Sequence, residues 1–341
     1  MKQTTKKRLG IIILSSIIGM FIICLVLLAT RQMTLPFLYN SKEGQNWTLG
    51  YVTSTSPLDV NYDSIIWIKN ETYDPIASCI MADPFIVEDD SVFYMFYEEM
   101  SGKRNSTHGN ICVLESNDGT SWNRLGYALE AKFHLSWPFV FKYNNEYYML
   151  PEKTETHELA LYKATNFPLK WKKEQVLFFN ISYTDPIIYF EDSISYLFIE
   201  MNKQLCLYYS NDLLSNEWKE HPMSPISKSP YSRLAGEVKK IDDKLYLFVQ
   251  ESLDSYGTGV HAFEITTIDT TILTMQKIKE PVLWKYGNAY SQDGMHTLNF
   301  VKRNNEKYFI VVDGTKIEEA KPWRWSWKNV PDFHWFWNQS N

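Results

Sequence analysis

Beyond residue 45 the hydrophobic and polar positions fall into paired short runs joined by tight polar turns. Ala82-Asp83-Pro84-Phe85 leads into a turn at Glu88-Asp89-Asp90-Ser91 and then into Val92 to Glu99. In the second run Phe93, Met95 and Tyr97 point one way, and Tyr94, Phe96 and Glu98 the other, the two-residue period of a strand. The pattern returns. Trp137-Pro138-Phe139 runs through Asn144-Asn145 to Tyr147–Glu152, and Asp185-Pro186-Ile187 through Glu191-Asp192 to Tyr196–Glu200. Ala235-Gly236-Glu237 runs through Asp242-Asp243 to Tyr246–Gln250, and a weaker fifth copy passes from Gly294-Met295-His296 through Asn304-Asn305 to Tyr308-Phe309-Ile310. From Pro84 the successive motifs at Pro138, Pro186, Gly236 and Met295 lie 54, 48, 50 and 59 residues apart. A repeat of about 50 residues built from short strands is the spacing of propeller blades.

The first three repeats share a trailer. Asn110–Ser116, Leu159–Ala164 and Leu205–Ser210 read as third strands, followed by an Asx turn and then Trp122, Trp171 or Trp218. With room for a fourth strand in each, the expectation is an all-β, five-bladed propeller of four-stranded blades, spanning residues 46–322. The fifth repeat lacks a fourth strand after Thr315, and the early Trp47–Thr53 run is expected to supply it and close the ring. Closure removes exposed sheet edges.

The N-terminus follows a different pattern. Leu9 to Thr30 is an uncharged apolar run of 22 residues, long enough to span a bilayer as a helix. Lys2, Lys6, Lys7 and Arg8 precede it and only Arg31 follows closely, which places residues 1–8 in the cytoplasm and the bulk in a lumen or outside. The alternative is a cleaved signal peptide; the run is longer than the usual apolar region and lacks a clear small-x-small cleavage site. Residues 31–45 then read as a stem. Five sequons, at Asn46, Asn70, Asn105, Asn180 and Asn338, agree with a glycosylated domain of the secretory pathway or cell surface, in a type II single-pass protein. The tail, residues 323–341, is rich in Trp. It packs against the propeller or meets the bilayer interface.

Charge and cysteine remove other classes. The first 31 residues carry five Lys/Arg and no acid, leaving 29 basic against 40 acidic residues, a net of −11, unsuited to nucleic acid. Cys24 lies in the apolar run, so Cys79, Cys112 and Cys206 allow one pair at most, and no Cys/His cluster points to zinc. No metal is assigned, and the sequence names no cofactor.

Blade-initial strands start around one mouth of a propeller's central channel. The repeat starts therefore converge Asp83, Trp137, Asp185, Arg233, Glu237 and His296, with Glu152 at the end of a second strand. Carboxylates bind hydroxyls or cleave glycosidic bonds, and Trp stacks on sugars. Five blades with Asp in the first, Asp in the third and Glu in the fourth resemble the five-bladed furanosidase-type glycoside hydrolases, the arabinanase and xylosidase group. That resemblance implies Asp83 as general base, Asp185 as modulator and Glu237 as general acid of an inverting hydrolase. It also matches His296 to a channel-centre histidine that in some members helps hold a metal ion.

A second resemblance covers most of the chain. It rests on Trp47-Thr48-Leu49-Gly50, Ser56-Pro57-Leu58, Ala82-Asp83-Pro84-Phe85, Trp137-Pro138-Phe139-Val140-Phe141, Met149-Leu150-Pro151-Glu152, Arg233-Leu234-Ala235-Gly236, Ser255-Tyr256-Gly257 and Gly294-Met295-His296-Thr297-Leu298. These resemble the N-terminal domain of plant glucosamine inositolphosphorylceramide transferases. Their glycosyltransferase domain lies C-terminal to this module, so the resemblance implies the fold and not transferase activity in this chain. Where that family reads Ala-Gly-Arg or Gly-Gly-Arg, this chain has Ala235-Gly236-Glu237. The expected function is a membrane-anchored, lumenal, carbohydrate-binding module acting beside a separate glycosyltransferase on glycolipid or cell-surface glycan. The alternatives are the inverting glycoside hydrolase and a protein-interaction scaffold. Each site residue also has a structural reading: Asp83 and Asp185 as turn acceptors, Trp137 as core, Arg233 as the partner of a ring carboxylate, and His296 as an axial residue satisfied by neighbours.

Overall fold

The computed structural model describes residues 15–24, 38–39, 44–68, 80–100, 108–253, 255–287, 290–303, 306–318 and 324–325. Two compact units result, Met1–Gly44 with Glu318–Asn341, and Gln45–Ile317. In the first, a helix covers residues 15–24, and β1 (Leu38–Tyr39) pairs antiparallel with the final strand, β24 (Arg324–Trp325). Among the described residues no helix is long and apolar enough to cross a membrane. The rest of the Leu9–Thr30 run, most of the stem and tail, Cys79 and the sequons at Asn70, Asn105 and Asn338 lie outside the described residues.

The second unit is a five-bladed, all-β propeller. β2 (Gly44–Ser54) and β3 (Ile66–Trp67) belong to the closing blade. The first blade is β4 (Ile80–Asp89), β5 (Val92–Met100), β6 (Asn110–Ser116) and β7 (Asn123–Leu129) in that order. The second is β8 (Ser136–Tyr143), β9 (Glu146–Glu152), β10 (Glu158–Asn166) and β11 (Lys170–Phe179). The third is β12 (Thr184–Glu191), β13 (Ile194–Met201), β14 (Gln204–Ser210) and β15 (Lys219–Glu220), with β16 (Ser227–Lys228) also on β14. The fourth is β17 (Lys239–Ile241), β18 (Lys244–Glu251), β19 (Gly259–Ile268) and β20 (Leu273–Lys277), with β21 (Leu283–Trp284) also on β19.

The fifth blade runs β22 (Leu298–Lys302), β23 (Tyr308–Glu318), β2, β3. The N-terminal segment thus closes the ring as its third strand, with Ile66–Trp67 as the fourth. This corrects the expectation that it would be the fourth. Gly50 lets the pair come close, because a Cβ there would lie 2.8 Å from Ile65 Cγ2.

The polar pairs at the hairpin tips do the work their sequence suggests. Asp90-Ser91, Asn144-Asn145, Asp192-Ser193 and Asp242-Asp243 all have φ between 46° and 67° at both residues. Two consecutive left-handed residues make the tight turn whose twist matches antiparallel strands. The strands bury their apolar positions between neighbouring blades, as where Phe85, Trp137 and Phe139 of two blades pack together. The thiols of Cys112 and Cys206 are buried and free.

Candidate functional site

Three blades begin with the same backbone device. Asp83, Trp137 and Asp185 have φ of 52°, 50° and 50°. Each sits at a register shift between the first two strands of its blade. A left-handed residue at such a bulge re-aims its side chain, at a cost of order 1–3 kcal/mol that the surroundings must hold. The surroundings hold it by clasps between blades. Asp83 N–H donates to Asp313 Oδ2 of blade five at 3.0 Å, Trp137 N–H to Asp83 Oδ2 at 3.3 Å, and Asp185 N–H to Glu152 Oε2 at 3.0 Å. Asn299 joins blades one, four and five by donating to Pro84 O at 2.8 Å and accepting from Glu237 N–H at 3.0 Å.

Asp83, His296 and Asp313 form one buried group. His296 Nδ1 lies 2.8 Å from Asp313 Oδ2, and Nε2 lies 3.3 Å from Asp83 Oδ1. Asp313 also accepts from the amides of His296 and Thr297, at 3.1 and 2.9 Å, and Thr297 Oγ1 donates to Asp83 Oδ1 at 3.2 Å. Trp47 lies against the imidazole, ring centres 3.9 Å apart. Burial pulls His296 towards its neutral form, but Asp313 and Asp83 outweigh it and the net shift is upward. Asp313 is pushed up by burial, and His296 with the backbone amides brings it below the usual carboxylate range. Burial dominates at Asp83 and raises it to about 6, against the pull of His296. The three side chains offer ligand atoms within 4.8 Å of one another. They do not fit a metal well: Asp313, with about four lone-pair positions, already faces three amides and the imidazole.

Across the mouth, Arg233 closes on Asp185 through Nε to Oδ2 at 2.7 Å and an Nη to Oδ1 at 2.8 Å. Its guanidinium lies 5.0 Å from the centre of the Tyr256 ring. Gln250 Nε2 adds a contact of 3.3 Å to Asp185 Oδ2 and donates to Leu234 O at 2.7 Å. Burial, then Asp185, holds Glu152 well above the usual range. Glu98 is raised in the same sense, by burial and then by Asp83, Glu152 and Asp313. His134 Nδ1 accepts the Gly109 amide at 3.0 Å, which places the ring proton on Nε2, 3.5 Å from Glu98 Oε1.

The structure therefore brings Asp83, Glu152, Asp185, Arg233 and His296 together and separates two expected members. Trp137 has no exposed surface; its indole N–H donates to Pro186 O at 3.0 Å and its ring meets Phe85 edge-on. It is core, not a sugar platform. The aromatic exposed at the mouth is Tyr256, 38 % accessible. Glu237 pairs with Lys239 at 3.0 Å, and Lys239 is fixed in turn by Phe300 O at 2.6 Å. Burial raises Glu237 and Lys239 opposes it; its carboxylate does not enter the ring network. Asp313 escaped the sequence reading, although the second strand of the fifth repeat continues from Ile310 through Val311-Val312-Asp313. Carrying that strand three residues further reaches it, one residue before Gly314, the register counterpart of Glu98, Glu152 and Glu200.

The family description "Glucosamine inositolphosphorylceramide transferase 1, N-terminal" matches residues 45–315, the whole propeller. The chain belongs to that family. It is 30% identical over 311 residues to glucosamine inositolphosphorylceramide transferase 1 of Oryza sativa subsp. japonica, and 30% over 310 residues to that of Arabidopsis thaliana. Each match covers 80% of this chain but only 40% and 39% of the relative. The chain thus spans about two fifths of the relatives' length. In three dimensions the propeller is similar to the catalytic domain of the GH62 α-L-arabinofuranosidase of Coprinopsis cinerea, with a TM-score of 0.54 and 13% identity over 78% of this chain and 97% of that one. The α-L-arabinofuranosidase of Podospora anserina aligns with the same TM-score and coverage at 12% identity. At such identities the likeness is one of fold.

Proposed function

We propose that this propeller is a carbohydrate-binding module, held at a lumenal membrane face by the Leu9–Thr30 run, that serves a separate glycosyltransferase acting on glycolipid or cell-surface glycan. One observation carries the reading: both oxygens of Asp185 are taken by Arg233, and Glu237 is drawn to Lys239. Inverting hydrolysis needs a proton donor facing the base across the sugar, and the furanosidase-type donor position faces a lysine instead. What remains at the mouth is Tyr256 with the carboxylates and guanidinium that recognise hydroxyls. The membrane and lumenal parts of the proposal rest on the apolar run, its basic flank and the sequons.

A second reading, hydrolysis by Asp83, Asp185 and Glu237, draws on Asp83, whose value of about 6 suits a general base near neutral pH. The test is glycan-array binding and hydrolysis of aryl pentofuranosides and pyranosides by the purified full chain. The binding reading predicts retention without turnover, weakened by Tyr256→Ala and unaffected by Glu237→Gln. Turnover abolished by both Asp83→Asn and Glu237→Gln overturns it.

A further inference from the structure

At the end opposite the mouth, the seam between blades one and two is filled. Phe167, in the turn joining β10 and β11, stacks on Tyr147 with ring centres 3.9 Å apart and meets Tyr94 of blade one edge-on at 5.0 Å. Lys142 reaches across to Asp89 at 3.4 Å, and Lys163 pairs with Glu146 at 3.4 Å. Blades three and four repeat the plan. Lys240 reaches across to Glu191 at 3.7 Å, and Lys244 pairs with Glu264 at 3.0 Å. Strand register makes Leu245 the counterpart of Tyr147, since Leu245 stands opposite Lys240 as Tyr147 stands opposite Lys142. Ile268 follows Glu264 by four residues, as Phe167 follows Lys163. Two rings give way to two aliphatic side chains, and this seam holds a pocket of about 500 Å³.

The pocket has an apolar floor, made by Tyr189 of blade three with Leu245, Ile265 and Ile268 of blade four. Its volume lies within the range of ligand pockets, roughly 300–1,000 Å³. The rim is charged. Glu191, Asp192, Asp243 and Glu264 stand against Lys240 and Lys244, four carboxyls to two ammonium groups. Both lysines are engaged, by Glu191 and Glu264, and Glu191 also accepts from the Tyr189 hydroxyl. Asp192 and Asp243 are exposed, and among the described residues neither has a cationic partner. The turn after Ile268 is tied to blade three, with His221 Nε2 lying 2.8 Å from Asp269 O. The hairpin that brings Phe167 inward in blade two is thus anchored elsewhere in blade four.

We propose that this pocket binds a partner protein through an aromatic side chain flanked by Lys or Arg. The ring takes the place that Phe167 takes between blades one and two, over an apolar floor. The basic flanks answer the surplus of carboxyls, above all Asp192 and Asp243. An acidic segment meets repulsion at the rim, and a basic segment without a ring leaves the floor uncovered. The inference goes beyond the carbohydrate reading and does not depend on it. β12 carries Asp185 at the mouth and Glu191 at the pocket. Six residues of strand separate them, about 20 Å at the usual rise. A protein docked here leaves the mouth open to its own ligand.

The experiment is calorimetry of the purified full chain in detergent with a blocked peptide, Gly-Arg-Lys-Phe-Lys-Arg-Gly. Two analogues accompany it, one with Ala for Phe and one with Glu for each basic residue. The parent peptide is expected to bind once per chain, more weakly as salt is added. Ala for Phe is expected to weaken binding at least roughly tenfold, the scale of burying one aromatic side chain, and the acidic analogue to show none. Ile268→Phe supplies the filling ring from within and is expected to abolish binding. Asp192→Asn with Asp243→Asn alters only exposed side chains, so it tests the same pocket if Ile268→Phe misfolds; the expected loss is about two- to fivefold. Retention on a glycan array is expected to be unchanged in every variant. No binding of the parent peptide, equal binding of the Ala analogue, or binding untouched by the variants overturns the inference. A dimer of the full chain that Ile268→Phe disperses assigns the pocket to a second copy, and glycan retention lost in that variant assigns it to carbohydrate; either result also overturns it.

Discussion

Arg233 of the fourth blade and Asp185 of the third form a two-pronged ion pair, 2.7 and 2.8 Å long, at the mouth of the channel. The aspartate is 1 % exposed and its partner side chain 28 %. A planar fork meets a carboxylate at both oxygens, a geometry an ammonium cannot reproduce. The pair ties two blades together while presenting the guanidinium to solvent beside Tyr256.

Removing the guanidinium leaves a buried charge without its partner. Arg233→Met is expected to lower stability by about 3–5 kcal/mol, and Arg233→Lys by less. In a double-mutant cycle Asp185→Asn should recover part of the loss. Urea unfolding measures it; additive losses would show that the two residues are not coupled.

Asp83 gives the propeller an unusual pH response. Its value of about 6 lies above the 3.8 of an ordinary aspartate, so the native state holds the proton more tightly than the unfolded chain. The stability linked to it is complete below about pH 4 and is lost as pH rises through about 6. Asp313, depressed in the fold, acts in the opposite sense and at more acid pH. Asp83→Asn is expected to flatten the decline between pH 4 and 6 in urea midpoints. An unchanged slope assigns the decline to other groups.

Gly236 sits where the backbones of blades four and five come close together. A Cβ there would lie 2.1 Å from the carbonyl oxygen of Leu298, whose own amide donates to Ala235 O at 2.7 Å. Backbone on both sides cannot yield as a side chain does. Gly236→Ala is expected to cost roughly 1–3 kcal/mol and to lower the melting temperature. A variant as stable as the parent would mean that the blades can shift apart freely.

Asn180 combines an exposed sequon with a φ of 57°, a conformation that Asn tolerates well. Expressed in eukaryotic cells, the chain is expected to carry a glycan there. Asn180→Gln should remove one mobility step from the endoglycosidase-sensitive shift. A chain without any such shift argues against the lumenal orientation.

The strands, their order and the number of blades were legible because they follow from local rules. Period-two burial, paired turn residues such as Asp242-Asp243 and a repeat of about 50 residues each repeat the same instruction along the chain. The mouth was legible through the same repeat, which placed Asp83, Asp185, Arg233, Glu152 and His296 on adjacent blades. Tertiary structure decided how those residues pair. Arg233 is only four residues from Glu237 yet reaches Asp185 of the adjacent third blade, because the starts of neighbouring blades lie side by side around the mouth. Glu237 is taken by Lys239, and Trp137 turns into the core where Phe85 fills its edge. The closing strand settled its own place too: β2 pairs beside β23 and leaves the outer edge to Ile66–Trp67, a choice made by packing between chain ends that no local pattern records.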